Sequence, residues 1–105
     1  MVDPISDDIP KLENLISYRD AILELAAKYH AFNVRIFGSV ARGDATPQSD
    51  IDFLVDFEAG ASLYDLSGLW QDLSELLDRR VDVLSDHSGM RERLRKRIMR
   101  DVIQL

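Results

Sequence analysis

Between Asp50 and Val55 the chain alternates carboxylates with apolar side chains, Asp50-Ile51-Asp52-Phe53-Leu54-Val55, and this restricts it to folds with a two-faced sheet. On an extended strand successive side chains point to opposite faces, so Ile51, Phe53 and Val55 share one face and Asp50 and Asp52 lie together on the other. A second run, Arg80-Val81-Asp82-Val83-Leu84, repeats the arrangement, with Val81 and Val83 on one side and Asp82 and Leu84 on the other. If the two strands lie close together in one sheet with apolar faces aligned, Asp82 joins Asp50 and Asp52. Two carboxylates about 5 Å apart repel by roughly 3 kcal/mol at an effective dielectric near 20, so a bare cluster of three strains a fold. A cation relieves the strain. Hard divalent ions such as Mg2+ take oxygen ligands and keep waters and substrate phosphates in their shell, which suits a few carboxylates at one end of a sheet.

Upstream, the strand Val34-Arg35-Ile36-Phe37 runs into Gly38, where the missing Cβ allows a sharp turn and a close ligand. Ser39 is expected to cap a short helix from Val40 to Arg42. A helix start presents unpaired N–H groups and a partial positive charge, so it suits an anion. The two ends together describe a place for a metal–triphosphate. Arg42 is a candidate phosphate contact or an exposed helical arginine. Ser49 is a candidate nucleotide contact or a simple loop cap.

The remaining elements are read as scaffold. A short helix is expected from Pro10 to about Ile16. Ser17-Tyr18-Arg19-Asp20 reads as a capping box that starts a longer helix from Tyr18 to Tyr29, with His30 at its C-terminal end. Thr46-Pro47-Gln48-Ser49 is loop. Ser62 with Asp65 caps a further helix whose stripe of Leu63, Leu66, Leu69, Trp70, Leu73, Leu76 and Leu77 covers the apolar face of the sheet. Trp70 is read as a packing residue and His87 as a solvated loop residue. The last helix, Met90 to Val102, carries Arg91, Arg93, Arg95, Lys96, Arg97 and Arg100, with Met90, Leu94, Ile98 and Val102 turned inward. Its cations are a solvated face, a dock for an acidic partner, or a hold on the triphosphate. The fold class is α/β (α+β): a small mixed sheet of three or four strands, helices packed on one face and the acidic cluster on the other.

Length and charge set the outer limits. A chain of 105 residues suits a single domain, 1–105, with 1–9 expected to be a flexible N-terminal segment. A formal charge of −6 argues against nonspecific nucleic-acid or membrane binding. With no cysteine there are no disulfides, thiolate zinc sites or cysteine nucleophiles, which agrees with a cytoplasmic home. The acidic start, Met1-Val2-Asp3-Pro4, is not a secretory signal, and no apolar run reaches membrane-spanning length.

Gly38-Ser39, ten intervening residues, Asp50-x-Asp52 and a later lone Asp82 on a strand resemble the nucleotidyltransferase superfamily of DNA polymerase β type. The wording Phe-Gly-Ser-Val-Ala-Arg-Gly-Asp with Ser-Asp-Ile-Asp-Phe-Leu-Val is similar to its minimal nucleotidyltransferases, the antitoxin partners of HEPN-domain toxins, and the likeness runs from about Tyr18 to Leu105. The resemblance implies a transferase that moves AMP from Mg-ATP to a hydroxyl, with a tyrosine of a cognate HEPN toxin as acceptor, within a type VII toxin–antitoxin pair. It implies two Mg2+ ions, one on Asp50 and Asp52 and a second on Asp50, Asp52 and Asp82, with Gly38 and Ser39 on the outer phosphates. Asp82 is also a candidate general base. A partner chain or a homodimer is expected to complete the acceptor pocket. Two alternatives stand beside this reading: an antitoxin that neutralises by occlusion, and a free-standing transferase acting on a small molecule.

Overall fold

The computed structural model describes residues 9–87 and 89–105, so most of the segment expected to be flexible, and the acidic start, lie outside the described residues. A four-stranded mixed sheet, in the order β3-β2-β1-β4, organises the chain. Its strands are β1 (Ala31–Phe37), β2 (Ile51–Phe57), β3 (Val81–Ser85) and β4 (Ile103–Gln104), and its helices are α1 (Leu12–Ser17), α2 (Arg19–Lys28), α3 (Gly38–Arg42), α4 (Leu63–Leu77) and α5 (Glu92–Arg100). β1 runs antiparallel to β2 and β4, whereas β2 and β3 are parallel and α4 makes the crossover between them. Among the described residues no helix is long and apolar enough to cross a membrane.

The period-2 reading of the strands holds. Ile51, Phe53 and Val55 of β2 and Val81 and Val83 of β3 are buried in one cluster with Val34 and Ile36 of β1. The same cluster takes in Leu15, Ile22 and Ala26 from α1 and α2, and Leu69, Leu73 and Leu77 from α4, whose spacing of four sets one helical face on the sheet. α4 opens with the expected capping box, the Ser62 N–H donating to Asp65 Oδ2 at 2.8 Å. Trp70 packs at the free edge of β3 and donates its indole N–H to the Val81 carbonyl at 2.8 Å. Where α2 meets α4, Tyr29 donates to Asp72 Oδ2 at 2.6 Å across Gly68, and a Cβ at Gly68 would overlap the Tyr29 ring.

Several boundaries differ from the expectations. The capping box at Ser17 is not made: the Ser17 hydroxyl donates back to the Asn14 carbonyl at 2.6 Å, and α2 starts at Arg19 with Tyr18 as the break. β1 begins at Ala31 rather than Val34, because a bulge between Phe32 and Arg35, with Asn33 at φ 51°, adds a paired segment ahead of the apolar run. His30, at φ 64°, lies beyond α2, and its Nδ1 sits 3.2 Å from Asp65 Oδ1. The last helix ends at Arg100, not Val102, because the chain turns to pair with β1, and the Leu105 N–H donates to the Val34 carbonyl at 2.9 Å. Leu94, expected to face inward, is 40% exposed, whereas Ile98 is buried.

The face bearing Asp52 is not bare. Leu54 there is fully buried outside the main cluster, and Ile98 of α5 is buried outside it too. Arg35 on the same face donates to Asp56 Oδ1 at 2.9 Å and Asp86 Oδ2 at 3.3 Å, and Arg95 of α5 holds both oxygens of Asp86 at 3.1 and 3.2 Å. This network ties α5 to the sheet. The Arg95 and Arg35 guanidiniums, acting against the cost of partial burial, hold the Asp86 carboxyl below its ordinary range.

Candidate active site

The parallel pairing of β2 and β3 sets Asp52 opposite Asp82 in direct register. Neighbouring strands are about 4.8 Å apart, so the two carboxylates share one patch on one face. Phe37 pairs with Asp52 from the β1 side, and the chain passes from Phe37 into Gly38 at φ 77°. That left-handed conformation favours glycine, and the space demands it as well: a Cβ at Gly38 would overlap Asp52 Oδ2 and lie 3.2 Å from its Cγ. Gly38 therefore lies directly against the Asp52 carboxylate.

Asp50, one residue before β2, takes a different partner. Its Oδ1 accepts from Arg80 Nε at 3.0 Å. Among the described residues no three His, Cys, Asp or Glu side chains form a group able to hold a metal ion. The structure thus brings Asp52 and Asp82 together, while Asp50 lies beside them and faces Arg80.

The electrostatics follow from that placement. Partial burial, then the charges of Asp82 and Asp50, push the Asp52 carboxyl up to about 6, and Arg42 opposes the rise. No side-chain hydrogen bond or ion pair offsets the charge of Asp52 or Asp82 among the described residues. Unsatisfied hard oxygens of this kind fit a divalent cation of the Mg2+ type.

The flanking candidates divide. α3 begins at Gly38 with Phe37 at its N-cap and no side-chain cap, so Ser39 lies in the first turn and is not the expected helix cap. The Ser39 carbonyl instead accepts the Gly43 and Asp44 N–H groups at 2.9 and 3.1 Å, closing the helix through Gly43 at φ 84°. Arg42 donates from Nε to Asp44 at 3.2 Å and has Nη1 3.6 Å from Asp101, so two carboxylates orient it at the edge of the site. The Ser49 hydroxyl accepts the Thr46 N–H at 2.8 Å, making it a loop cap.

One supporting side chain is absent from the sequence reading. Arg79 donates to the carbonyls of Ser49 at 3.0 Å, Thr46 at 3.4 Å and Pro47, and so holds the loop that delivers Asp50 to β2. Asp78, in a left-handed C-cap at φ 48°, turns the chain out of α4 and directs Arg79 under that loop. The partners lie 30 to 33 residues away, and no glycine marks the turn. The one local signal is the pair of arginines immediately before a strand.

Comparison with known proteins adds an independent line. Residues 18–104 match the family described as Nucleotidyltransferase domain. A protein of Methanocaldococcus jannaschii named as a protein adenylyltransferase is 35% identical over 92 residues, spanning 88% of this chain and 98% of the relative. The protein adenylyltransferase MntA of Thermococcus cleftensis is 36% identical over 80 residues, 76% of this chain and 80% of that protein. Among solved structures, one described as a minimal nucleotidyltransferase has 46% identity and a TM-score of 0.79, covering 90% of this chain and 96% of the other. A chain of the toxin–antitoxin pair MntA–HpeT has 25% identity and a TM-score of 0.67, covering 83% of this chain and 70% of the other.

Proposed function

Since this chain belongs to the nucleotidyltransferase domain family, we propose that it transfers AMP from ATP to a hydroxyl of a protein. The observation that carries the reading is the in-register pair Asp52 and Asp82, with Gly38 against Asp52 and Asp50 alongside. Relatives named as protein adenylyltransferases, aligned over most of their lengths, support a protein acceptor. The acceptor we assign is a tyrosine of a cognate HEPN-type toxin. The toxin–antitoxin pairing of the MntA–HpeT relative supports a toxin as the partner, and with it an antitoxin role.

Asp52 and Asp82 are the residues that would hold Mg2+, with Asp50 joining them once its carboxylate turns from Arg80. Bound there, Mg2+ supplies neutralisation of the triphosphate and lowers the pKa of a hydroxyl in its shell. The chain's own residues do the rest. Gly38 gives the triphosphate close access to the backbone, the Ser39 hydroxyl donates to an outer phosphate, and Arg42 adds positive charge at the rim. These contacts orient the α-phosphorus towards the acceptor. The acceptor oxygen then bonds to the α-phosphorus as the bond to the β-phosphate oxygen breaks. Pyrophosphate leaves, and Asp82 takes the hydroxyl proton.

Labelled ATP tests the reaction class. With the HEPN-type protein as acceptor and Mg2+ present, label on the α-phosphate is expected to travel to the acceptor and label on the γ-phosphate to leave in pyrophosphate. Label reaching the acceptor from the γ-phosphate would identify a kinase and overturn the proposal. An acceptor unlabelled from either position would overturn it as well.

A further inference from the structure

Helix α5 concentrates a charge that the rest of the chain opposes. From Arg91 to Arg100, ten residues hold six of the thirteen cationic side chains and one carboxylate, Glu92. The other 95 residues carry seven cations against eighteen carboxylates, a formal −11. Two of the six cations are engaged, Arg95 with Asp86 and Lys96 with Glu92 at 3.4 Å. Arg91, Arg93, Arg97 and Arg100 are exposed and have no carboxylate partner among the described residues. Arg93, Arg97 and Arg100 follow one another at spacings of four and three, which sets them on one helical face, and with Lys96 they line a surface cleft. Like charges at these spacings destabilise a helix slightly, and among the described residues no carboxylate pairs with them.

The position of α5 gives this face a use. Asp101, at the C-cap of α5, lies 3.6 Å from Arg42, the cation that acts on Asp52. Arg95 ties the helix to Asp86 at the end of β3, the strand that carries Asp82. These contacts fix α5 beside both the Arg42 edge of the site and the end of β3, with Arg93, Arg97 and Arg100 exposed on its outer side.

We propose that the face formed by Arg93, Arg97 and Arg100 docks an acidic surface of the protein that is modified. The inference rests on the adenylyltransferase reading above and supplies the chemistry of its partner. A protein surface fits better than a nucleic acid. α5 has nine residues and is about 14 Å long, enough for a local acidic patch but for only a few phosphates of a strand. Beyond the helix, the formal −11 of the rest of the chain repels a continuing phosphate backbone. Charge complementarity at the rim of an interface sets encounter rate and orientation, which a small transferase needs to present one hydroxyl.

The test is the triple variant Arg93→Gln, Arg97→Gln, Arg100→Gln in the full chain, with folding checked by its melting temperature. Three probes are used separately: the HEPN-type protein, a short oligouridylate, and Mg-ATP. The variant is expected to bind the protein at least about tenfold more weakly, with KM for that acceptor raised, a flatter dependence on salt, and unchanged Mg-ATP affinity. Unchanged protein binding overturns the docking proposal. Weakened Mg-ATP binding reassigns the arginines to the triphosphate, and a loss confined to the oligouridylate reassigns them to nucleic acid; either overturns it too. Because binding and transfer are read separately, the two readings fail separately. A wild-type chain that binds the protein but transfers no AMP overturns the adenylyltransferase reading, whereas full transfer and binding by the triple variant overturn the docking alone.

Discussion

Asp52 holds the least comfortable charge in the site, half-buried beside Asp82 and without a donor among the described residues, and its carboxyl is pushed up from 3.8 to about 6. The sign of the pH effect follows. A carboxylate whose folded pKa is raised costs stability when charged, so the cost is full above about pH 6 and disappears as the pH falls towards its ordinary value. Asp52→Asn is therefore expected to raise stability at pH 7.5 by about 1–2 kcal/mol, a figure discounted for solvent screening, with the gain vanishing near pH 4 while AMP transfer is lost. Melting curves across pH check it, and a variant that is less stable at pH 7.5 or fully active contradicts the assignment. Gly38→Ala places a methyl group on the Asp52 carboxylate and a side chain at φ 77°, so it should cost about 1–3 kcal/mol and impair transfer, read by denaturant unfolding beside an activity assay. The positions of Asp52, Asp82 and Gly38 are legible in the sequence because alternation along a strand and a glycine before a turn are local signals. Arg35, which is 6% exposed and paired to Asp56 and Asp86, is not, because its partners are 21 and 51 residues away.

Among the elements, the turn from α4 into β3 governs the loop ahead of Asp50. Arg79→Ala removes three donations to backbone carbonyls and should cost about 1–2 kcal/mol. It should also speed amide exchange over residues 46–50, measured by hydrogen–deuterium exchange; unchanged exchange there would show that the loop holds itself. Gly68→Val drives a side chain into the Tyr29 ring and should separate α2 from α4 at a cost of more than about 2 kcal/mol, seen as a lowered melting temperature. The element reading succeeds where periodicity is long. α4 shows four turns of leucine stripe behind a capping box, and the alternation of β2 and β3 continues over whole strands. It fails where the deciding contact is distant. Ile103 and Gln104 are too short to show a period, and only pairing with Ile36 and Arg35 makes them a strand, so the last helix is overextended in the sequence reading. At Ser17 the capping pattern is present, but the hydroxyl bonds backward to Asn14 and the pattern goes unused.

At the scale of the whole molecule, a four-stranded sheet presents an acidic pair beside a glycine turn, and a strongly basic helix is tied to the same sheet through Arg95 and Asp86. The acceptor's own surface is expected to complete the site. The central claim is the transfer of AMP to a protein. Its most direct test is intact-mass spectrometry of a HEPN-type toxin, the proposed acceptor, after incubation with the chain, ATP and Mg2+, next to a control carrying Asp50→Asn and Asp52→Asn. The account predicts a gain equal to one or more AMP units, absent from the control. A stable complex with no gain in mass would contradict it and leave neutralisation by binding as the activity.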